Sequence, residues 1–369
     1  MKIVVTGANG FLAKNLCAFL GETDQHDVIE VTRHTPKSHL LIYLKDADFI
    51  YHFAGVNRPE RVEEFQVGNA DLTKFIVENL IEYGSNAPIV FSSSTQAGLD
   101  NPYGKSKLEA EEYIRSYSEV TGALCYIYRF PNLFGKWSKP NYNSFVSTFC
   151  HNILHNIDIE IHDRKAEVTL AYVDDVCESL LQLLSNTCDQ GPQNSFKEYH
   201  TTVGDVADII SSFKDGRETL VTERVGTGLI RALYSTYLSF IIPDNFAYSI
   251  PTYADERGIF CEMLKTKDSG QFSFFTAHPG VTRGGHYHHT KNEKFLVIRG
   301  NARFRFKHLL TAEVCELTTS GKSLKIVETI PGWVHDISNI GNDDLIVMLW
   351  ANEIFDRDRP DTIAKSLQD

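Results

Sequence analysis

The chain has 369 residues, enough for two or three domains, and its 42% hydrophobic and 23% charged residues are the balance of an ordinary folded protein with sizeable cores. A net charge of −12 argues against a nucleic-acid partner. No apolar run reaches the roughly 18–20 residues that a membrane-inserted helix needs; the stretch Leu233 to Ile242 is too short and carries Tyr and Ser.

The N-terminus, MKIVVTGANG, has one Lys and a brief apolar run followed at once by glycines. That pattern predicts a first strand rather than a signal peptide. FLAKNLCAFL then carries apolar residues at helical spacing. DVIEVT, FIYHFAG, IVFSSS and ALCYIYRF read as four further strands, with helices such as TKFIVENLIEYG and SKLEAEEYIRSYSEVTG between them. This alternation predicts an α/β, Rossmann-type, doubly wound parallel sheet.

TGANGFLA sets Gly7, Asn9, Gly10, Phe11 and Leu12 at the turn from first strand to first helix, with Ala13 behind them. Small residues there let a pyrophosphate reach the helix N-terminus, where free N–H groups attract anions. The second strand ends VTRH, with Thr32 where an NAD-binding acid is expected and Arg33 beside it. A cation suits a 2′-phosphate, so NADPH is favoured over NADH; the bland alternative is an exposed loop arginine.

Tyr103-Gly-Lys-Ser-Lys107 puts a phenol and an ammonium four residues apart, on one face of a helix. A neighbouring ammonium is expected to lower the phenol pKa and ready it for proton delivery. Ser94 or Thr95, in the preceding FSSSTQAG, is placed to hydrogen-bond a substrate carbonyl. Taken alone, a Tyr-x-x-x-Lys is more often a solvated helix face. Here it stands in order with HFAG (His52 to Gly55, including Ala54), RFPNLFG (Arg129 to Gly135) and YVDDV (Tyr172 to Val176). Together these resemble the extended, nucleotide-sugar branch of the short-chain dehydrogenase/reductase family. The resemblance implies Ser94, Tyr103 and Lys107 as the catalytic set. It also implies Gly7, Asn9, Gly10, Phe11, Leu12, Arg33, Ala54, Tyr103 and Lys107 at the cofactor, and Asn132 at the substrate. The stretch from Arg33 to Phe49 is shorter than in that branch, so one strand is expected to be missing.

Near Asp244 helical periodicity fades. Short strands take over (QFSFFTAH, EKFLVIRG, ARFRFKHL, SLKIVETI, LIVMLW), predicting an all-β barrel or jelly roll and domains at 1–243 and 244–369. In this half, GVTRGGHYHHTKNEKFLVIRG offers His286, His288 and Glu293, and PGWVHDISN adds His335. His286 and His288, two apart, share one face of a strand. Three imidazoles and a carboxylate are ligands for a borderline divalent metal, zinc being favoured although iron, manganese and nickel take the same set. The bland alternative is a His-rich exposed hairpin. The spacing resembles the two motifs of the cupin family. DERGIF (Asp255 to Phe260) and TRGGHYH (Thr282 to His288) resemble its deoxysugar-nucleotide epimerase branch. That resemblance implies phosphate binding by Arg283, proton abstraction by His286 and enolate stabilisation by Lys294. His286 cannot be base and ligand at once.

Over essentially its whole length the chain resembles bifunctional capsular polysaccharide synthesis enzymes of bacteria. The resemblance implies a UDP-2-acetamido-2,6-dideoxy-4-keto-hexose substrate, epimerised at carbon 3 by the C-terminal half and reduced at carbon 4 by the N-terminal half. The product would be a UDP-N-acetyl-6-deoxytalosamine on the route to N-acetylfucosamine. Two rivals remain: a reductase whose cupin only binds sugar or dimerises, and a metal-dependent oxygenase fused to a reductase. Seven cysteines without a CxxC pair fit reduced thiols in the cytoplasm, and both parent families suggest a homodimer.

Overall fold

The computed structural model describes residues 1–23, 25–185, 196–250, 253–255, 258–260, 264–266, 270–353 and 358–368. Glu256 and Arg257 of the DERGIF motif, Cys188 and Cys261 lie outside them. The chain divides into two compact units, Met1–Phe145 with Val168–His200, and Val146–Glu167 with Thr201–Asp369.

The first unit is built on β1 (Lys2–Thr6), β2 (Asp27–Val31), β3 (Phe49–His52), β4 (Ile89–Ser94) and β5 (Cys125–Phe130). They form one parallel sheet in the order β2-β1-β3-β4-β5. Successive side chains of a strand point to opposite faces, so Ile3 and Val5 enter one core and Val4 the other. The first core is closed by α1 (Phe11–Leu20), the second by α2 (Lys37–Lys45), α3 (Leu72–Glu82) and α4 (Pro102–Thr121). Each fully buried Ile, Leu or Val contributes roughly 1.5–3 kcal/mol. The short stretch after Arg33 is accounted for: α2 leads straight to β3 on the far side of β1, with no further strand beyond β2.

The second unit carries two five-stranded antiparallel sheets, a cupin-like β-rich architecture. One contains β6 (Ala247–Ser249), β7 (Gln271–Ala277), β9 (Glu293–Arg299), β12 (Lys325–Glu328) and β14 (Leu345–Ala351), in the order β6-β12-β9-β14-β7. The other contains β8 (Thr282–Tyr287), β10 (Asn301–His308), β11 (Val314–Ser320), β13 (Trp333–Asn339) and β15 (Ile363–Ala364), in the order β11-β10-β13-β8-β15. Along β10, Ala302, Phe304 and Phe306 are buried while Arg303 and Arg305 are not, the two-residue alternation of a half-buried strand. Phe304 meets Phe295 of the facing sheet at 5.7 Å between ring centroids. Helices α5 (Val203–Lys214) and α6 (Gly228–Leu238) belong to this unit too. Among the described residues no helix is long and apolar enough to cross a membrane.

Candidate functional site

In the first unit the strand order reverses between β1 and β3, and open α/β sheets take ligands in the crevice at such a point. Gly7 leaves β1 with φ of 71°, and a Cβ there would lie 2.7 Å from the Ala54 backbone nitrogen. Only glycine permits both the left-handed turn and that approach. The Gly10 N–H donates to the Gly7 carbonyl at 2.7 Å, and α1 starts at Gly10 with no side-chain cap. The first-turn N–H groups, at Phe11 and Leu12, are therefore left for an anion. Asn9 is exposed beside them. Arg33 is exposed just past β2 and has no ion pair among the described residues. This cradle fits a dinucleotide.

Helix α4 brings Tyr103 and Lys107 to the same crevice. Asn101 caps it by accepting the Gly104 N–H at 2.8 Å, and Pro102 opens its first turn. Tyr103 is half-buried at the start of α4, with Ser94, the last residue of β4, nearby. Burial pushes the Tyr103 phenol above its ordinary value, and the neighbouring Ser94 opposes the rise. This differs from the expected depression by Lys107. The Lys107 ammonium instead donates to the Ser92 carbonyl at 2.8 Å. Burial pulls Lys107 down to about 8, held up in part by Glu111. A Cβ at Gly55 would lie 3.1 Å from the Lys107 Nζ, so Lys107 reaches the Ala54–Gly55 loop that borders Gly7. Asn132, on the exposed start of a short strand, is bonded only weakly, at 3.4 Å to the Thr169 carbonyl.

Two supporting residues escaped the sequence reading. Buried Asn69 accepts the Val56 N–H at 2.8 Å and donates to Ser106 Oγ at 2.9 Å, tying the loop after β3 to α4. It sits in a π-helical turn, Gln66–Asp71, which has no hydrophobic period to reveal it. Buried Glu111 accepts from Ser93 at 2.5 Å and pairs with Arg129 and Arg115 at 2.7 Å each. Its only sequence signal was a position one helical turn after Lys107.

His52 of the HFAG motif is fully buried between Thr6 Oγ1 at 2.7 Å and Thr73 Oγ1 at 2.9 Å. Burial, with Lys107 nearby, drives it from 6.5 to about 3. A group depressed on folding lends stability that is complete above its unfolded value and is lost as pH falls toward its folded one. Denaturant titrations should therefore show stability dropping from pH 6.5 downward. His52→Gln should reduce that slope, and an unchanged slope would show that His52 plays no part in it.

In the second unit the register brings the four expected ligands together. His335 of β13 pairs directly with His286 of β8 and with Phe306 of β10. Gly284 and Gly285 have φ of 100° and 77°, and the pairing of β8 with β13 slips by one residue between Gly284 and His286. That bulge needs positive φ, which explains the double glycine of TRGG. The His286 and His335 rings lie 4.6 Å apart between centroids. Glu293 starts β9 in the facing sheet, and His288 belongs to the connection between β8 and β9. His288 Nε2 is 3.3 Å, and His335 Nε2 3.6 Å, from Glu293 Oε2. One ligand atom from each of the four residues lies within 4.8 Å of every other. His335 Nε2 is buried with no hydrogen-bond partner. An orphaned imidazole nitrogen beside a buried carboxylate and two more imidazoles fits a divalent ion. His286 is the one ligand candidate of the four that is not fully buried. Burial and the two other imidazoles hold it down at about 3.

Arg283 is exposed, with its Nη1 donating to the Thr276 carbonyl at 2.7 Å and its guanidinium over the Phe275 ring. Lys294 is not brought to the cluster. It follows Glu293 on one strand, so the two side chains leave by opposite faces. Lys294 ends buried on Glu328, which also takes Arg217, with the Tyr248 hydroxyl at 3.2 Å. Two cations share one buried carboxylate there. Glu328→Ala would strand both charges and should cost about 3–5 kcal/mol of stability by chemical denaturation. A loss under 1 kcal/mol would show that the triad does not hold this unit together.

The chain matches two family models: the NAD dependent epimerase/dehydratase family over residues 3–197, and the polysaccharide biosynthesis C-terminal domain over residues 253–363. It is 52% identical, over all of its length and 99% of the relative's, to the UDP-2-acetamido-2,6-beta-L-arabino-hexul-4-ose reductase of Pseudomonas aeruginosa. Among solved structures it is similar to the capsular polysaccharide assembling protein CapF from Staphylococcus aureus. The TM-score is 0.68 at 42% identity, covering 99% of this chain and all of that one. The UDP-glucuronic acid 4-epimerase of Bacillus cereus shares the fold of part of the chain, with a TM-score of 0.52 at 16% identity over 57% of this chain and 82% of that one.

Proposed function

This chain belongs to the NAD dependent epimerase/dehydratase family, and on that premise we propose that it converts a UDP-2-acetamido-2,6-dideoxy-4-keto-hexose in two steps. The first inverts carbon 3 in the barrel half, residues 244–369. The second reduces the ketone at carbon 4 in the nucleotide-fold half, residues 1–243, whose segments 146–167 and 201–243 pack in the second compact unit. The observation that carries the reductive step is Tyr103 beside Ser94 at the crevice lined by Gly7, Ala54 and Lys107. The whole-length likeness to a UDP-keto-sugar reductase supports the substrate class.

Bound in that crevice, NADPH supplies the hydride for carbon 4. Gly7, Gly10, Phe11 and Leu12 would hold its pyrophosphate and Arg33 its 2′-phosphate. Ser94 fixes the keto oxygen, and the Tyr103 hydroxyl delivers the proton that the reduced oxygen takes up. Buried Lys107 is assigned to hold a positive charge beside the Ala54–Gly55 loop of the same crevice.

A ketone at carbon 4 acidifies the proton at carbon 3. We assign His288, Glu293 and His335 to a divalent ion, zinc by preference, because all three are fully buried and two contacts converge on one Glu293 oxygen. Three protein ligands leave a position open, and the ion would supply polarisation of the keto oxygen. His286, the accessible member, is assigned to take the carbon-3 proton; a proton returned from the other face completes the inversion. Arg283 is assigned to the nucleotide phosphates. Cys17, Cys125, Cys150, Cys177 and Cys315 are all free thiols, which suits the cytoplasm.

The test follows one UDP-4-keto sugar in heavy water. Deuterium should enter at carbon 3 without NADPH, and NADPH should be consumed when it is added. Reduction without exchange would leave a reductase with a binding-only barrel. Oxygen consumption would favour the oxygenase alternative.

A further inference from the structure

The turn that links His288 to Glu293 is held by the C-terminal segment of the chain, through a residue that no motif marked. One Asp361 carboxylate oxygen accepts the His289 N–H at 2.9 Å. The other accepts the Thr290 and Lys291 N–H groups at 2.6 Å each and the Thr290 hydroxyl at 3.0 Å. The Asp361 backbone carbonyl accepts from His288 Nδ1. That bond places the proton of the neutral ring on Nδ1 and leaves the Nε2 lone pair toward Glu293. Strand β15 extends the grip, pairing Ile363 and Ala364 with Tyr287 and His286, and the Lys365 N–H donates to the Gly285 carbonyl at 2.9 Å. From the other side, Ser235 of α6 donates to the Thr290 carbonyl at 3.0 Å.

We propose that Asp361 is the positioning residue of the ion site: its carboxylate sets the 289–291 turn and its carbonyl sets the His288 tautomer, so that His288 and Glu293 meet one ion without rearrangement. This rests on the assignment of the barrel cluster to a divalent ion. Three converging backbone N–H groups on one carboxylate make an unusually complete clamp. Partners that orient a ligating histidine typically change metal affinity about 10–100-fold when removed. Asp361 lies more than 70 positions along the chain from His288, and only the return of the last strand to β8 brings them together.

Metal-stripped full-length protein is titrated with zinc by calorimetry and with cobalt by visible absorption, for the wild type, Asp361→Ala and Asp361→Asn. Zinc affinity should fall about 10–100-fold in Asp361→Ala. Asp361→Asn keeps an acceptor oxygen for the turn and should lose less. The cobalt ligand-field bands should shift in Asp361→Ala, which a loss of general stability alone does not cause. NADPH-dependent reduction of a pre-epimerised sugar should stay unchanged. Wild-type affinity and spectra in both variants overturn the inference while leaving the ion assignment intact. Should Asp361→Ala fail to fold, Asp361→Asn decides by the same readouts. A wild type that binds neither zinc nor cobalt overturns the ion assignment itself.

Discussion

Tyr103→Phe should lower NADPH oxidation by about two to four orders of magnitude, the usual worth of a positioned proton donor. Phenylalanine keeps the ring that packs 5.6 Å from Phe65 and removes only the hydroxyl beside Ser94. The fold should therefore survive, and far-ultraviolet circular dichroism and thermal unfolding check that it does. Deuterium entry at carbon 3 should continue at the wild-type rate, since no barrel residue has changed. Loss of both activities together would mean that the two reactions are not separable in the way proposed. The pH dependence adds a second readout. Burial pulls Lys107 down to about 8, so reduction should weaken as pH rises through that value and the ammonium beside the Ala54–Gly55 loop is lost.

His286→Ala should have the reciprocal effect. Exchange at carbon 3 should fall about 10²–10⁴-fold, while a sugar already epimerised is still reduced. The same variant decides between the two roles open to His286. As base only, its removal leaves zinc affinity within a few-fold, because His288, Glu293 and His335 remain. As a fourth ligand, its removal weakens zinc binding well beyond that. Treatment with a chelator supplies the complementary experiment: exchange should stop and return with added zinc, while reduction of the pre-epimerised sugar proceeds throughout.

Much of this architecture was legible residue by residue. FLAKNLCAFL marks α1 from end to end because its apolar face repeats at helical spacing and a glycine precedes it. The central strands β1 and β3 were visible as apolar runs because a sheet covered on both faces buries nearly every side chain there. His286, His288, Glu293 and His335 were readable as a set because three histidines and a carboxylate at strand spacing stand out by residue type as well as position. Other features were hidden for physical reasons. Strands β11 and β15 bury little, so alternation is weak in one and the other is only two residues long. The role expected of Lys294 came from a resemblance and ignored the strand period, which turns adjacent residues to opposite faces. Asn69, Glu111 and Asp361 act through hydrogen bonds to distant partners, and single polar residues leave no periodic trace.

The sequence by itself determined which chemistry the chain carries: a glycine turn for a dinucleotide, a Tyr–Lys pair one helical turn apart, and a histidine–carboxylate set. Each is a local pattern of residue type and spacing, so it survives without knowledge of the fold. Tertiary structure alone decided how these groups are tuned. It turned the Lys107 ammonium to a backbone carbonyl instead of Tyr103, seated Lys294 on Glu328, and closed the histidine–carboxylate cluster with strand β15. Burial, strand register and long-range partners fix those outcomes, and all three depend on residues that the chain brings together only when it folds.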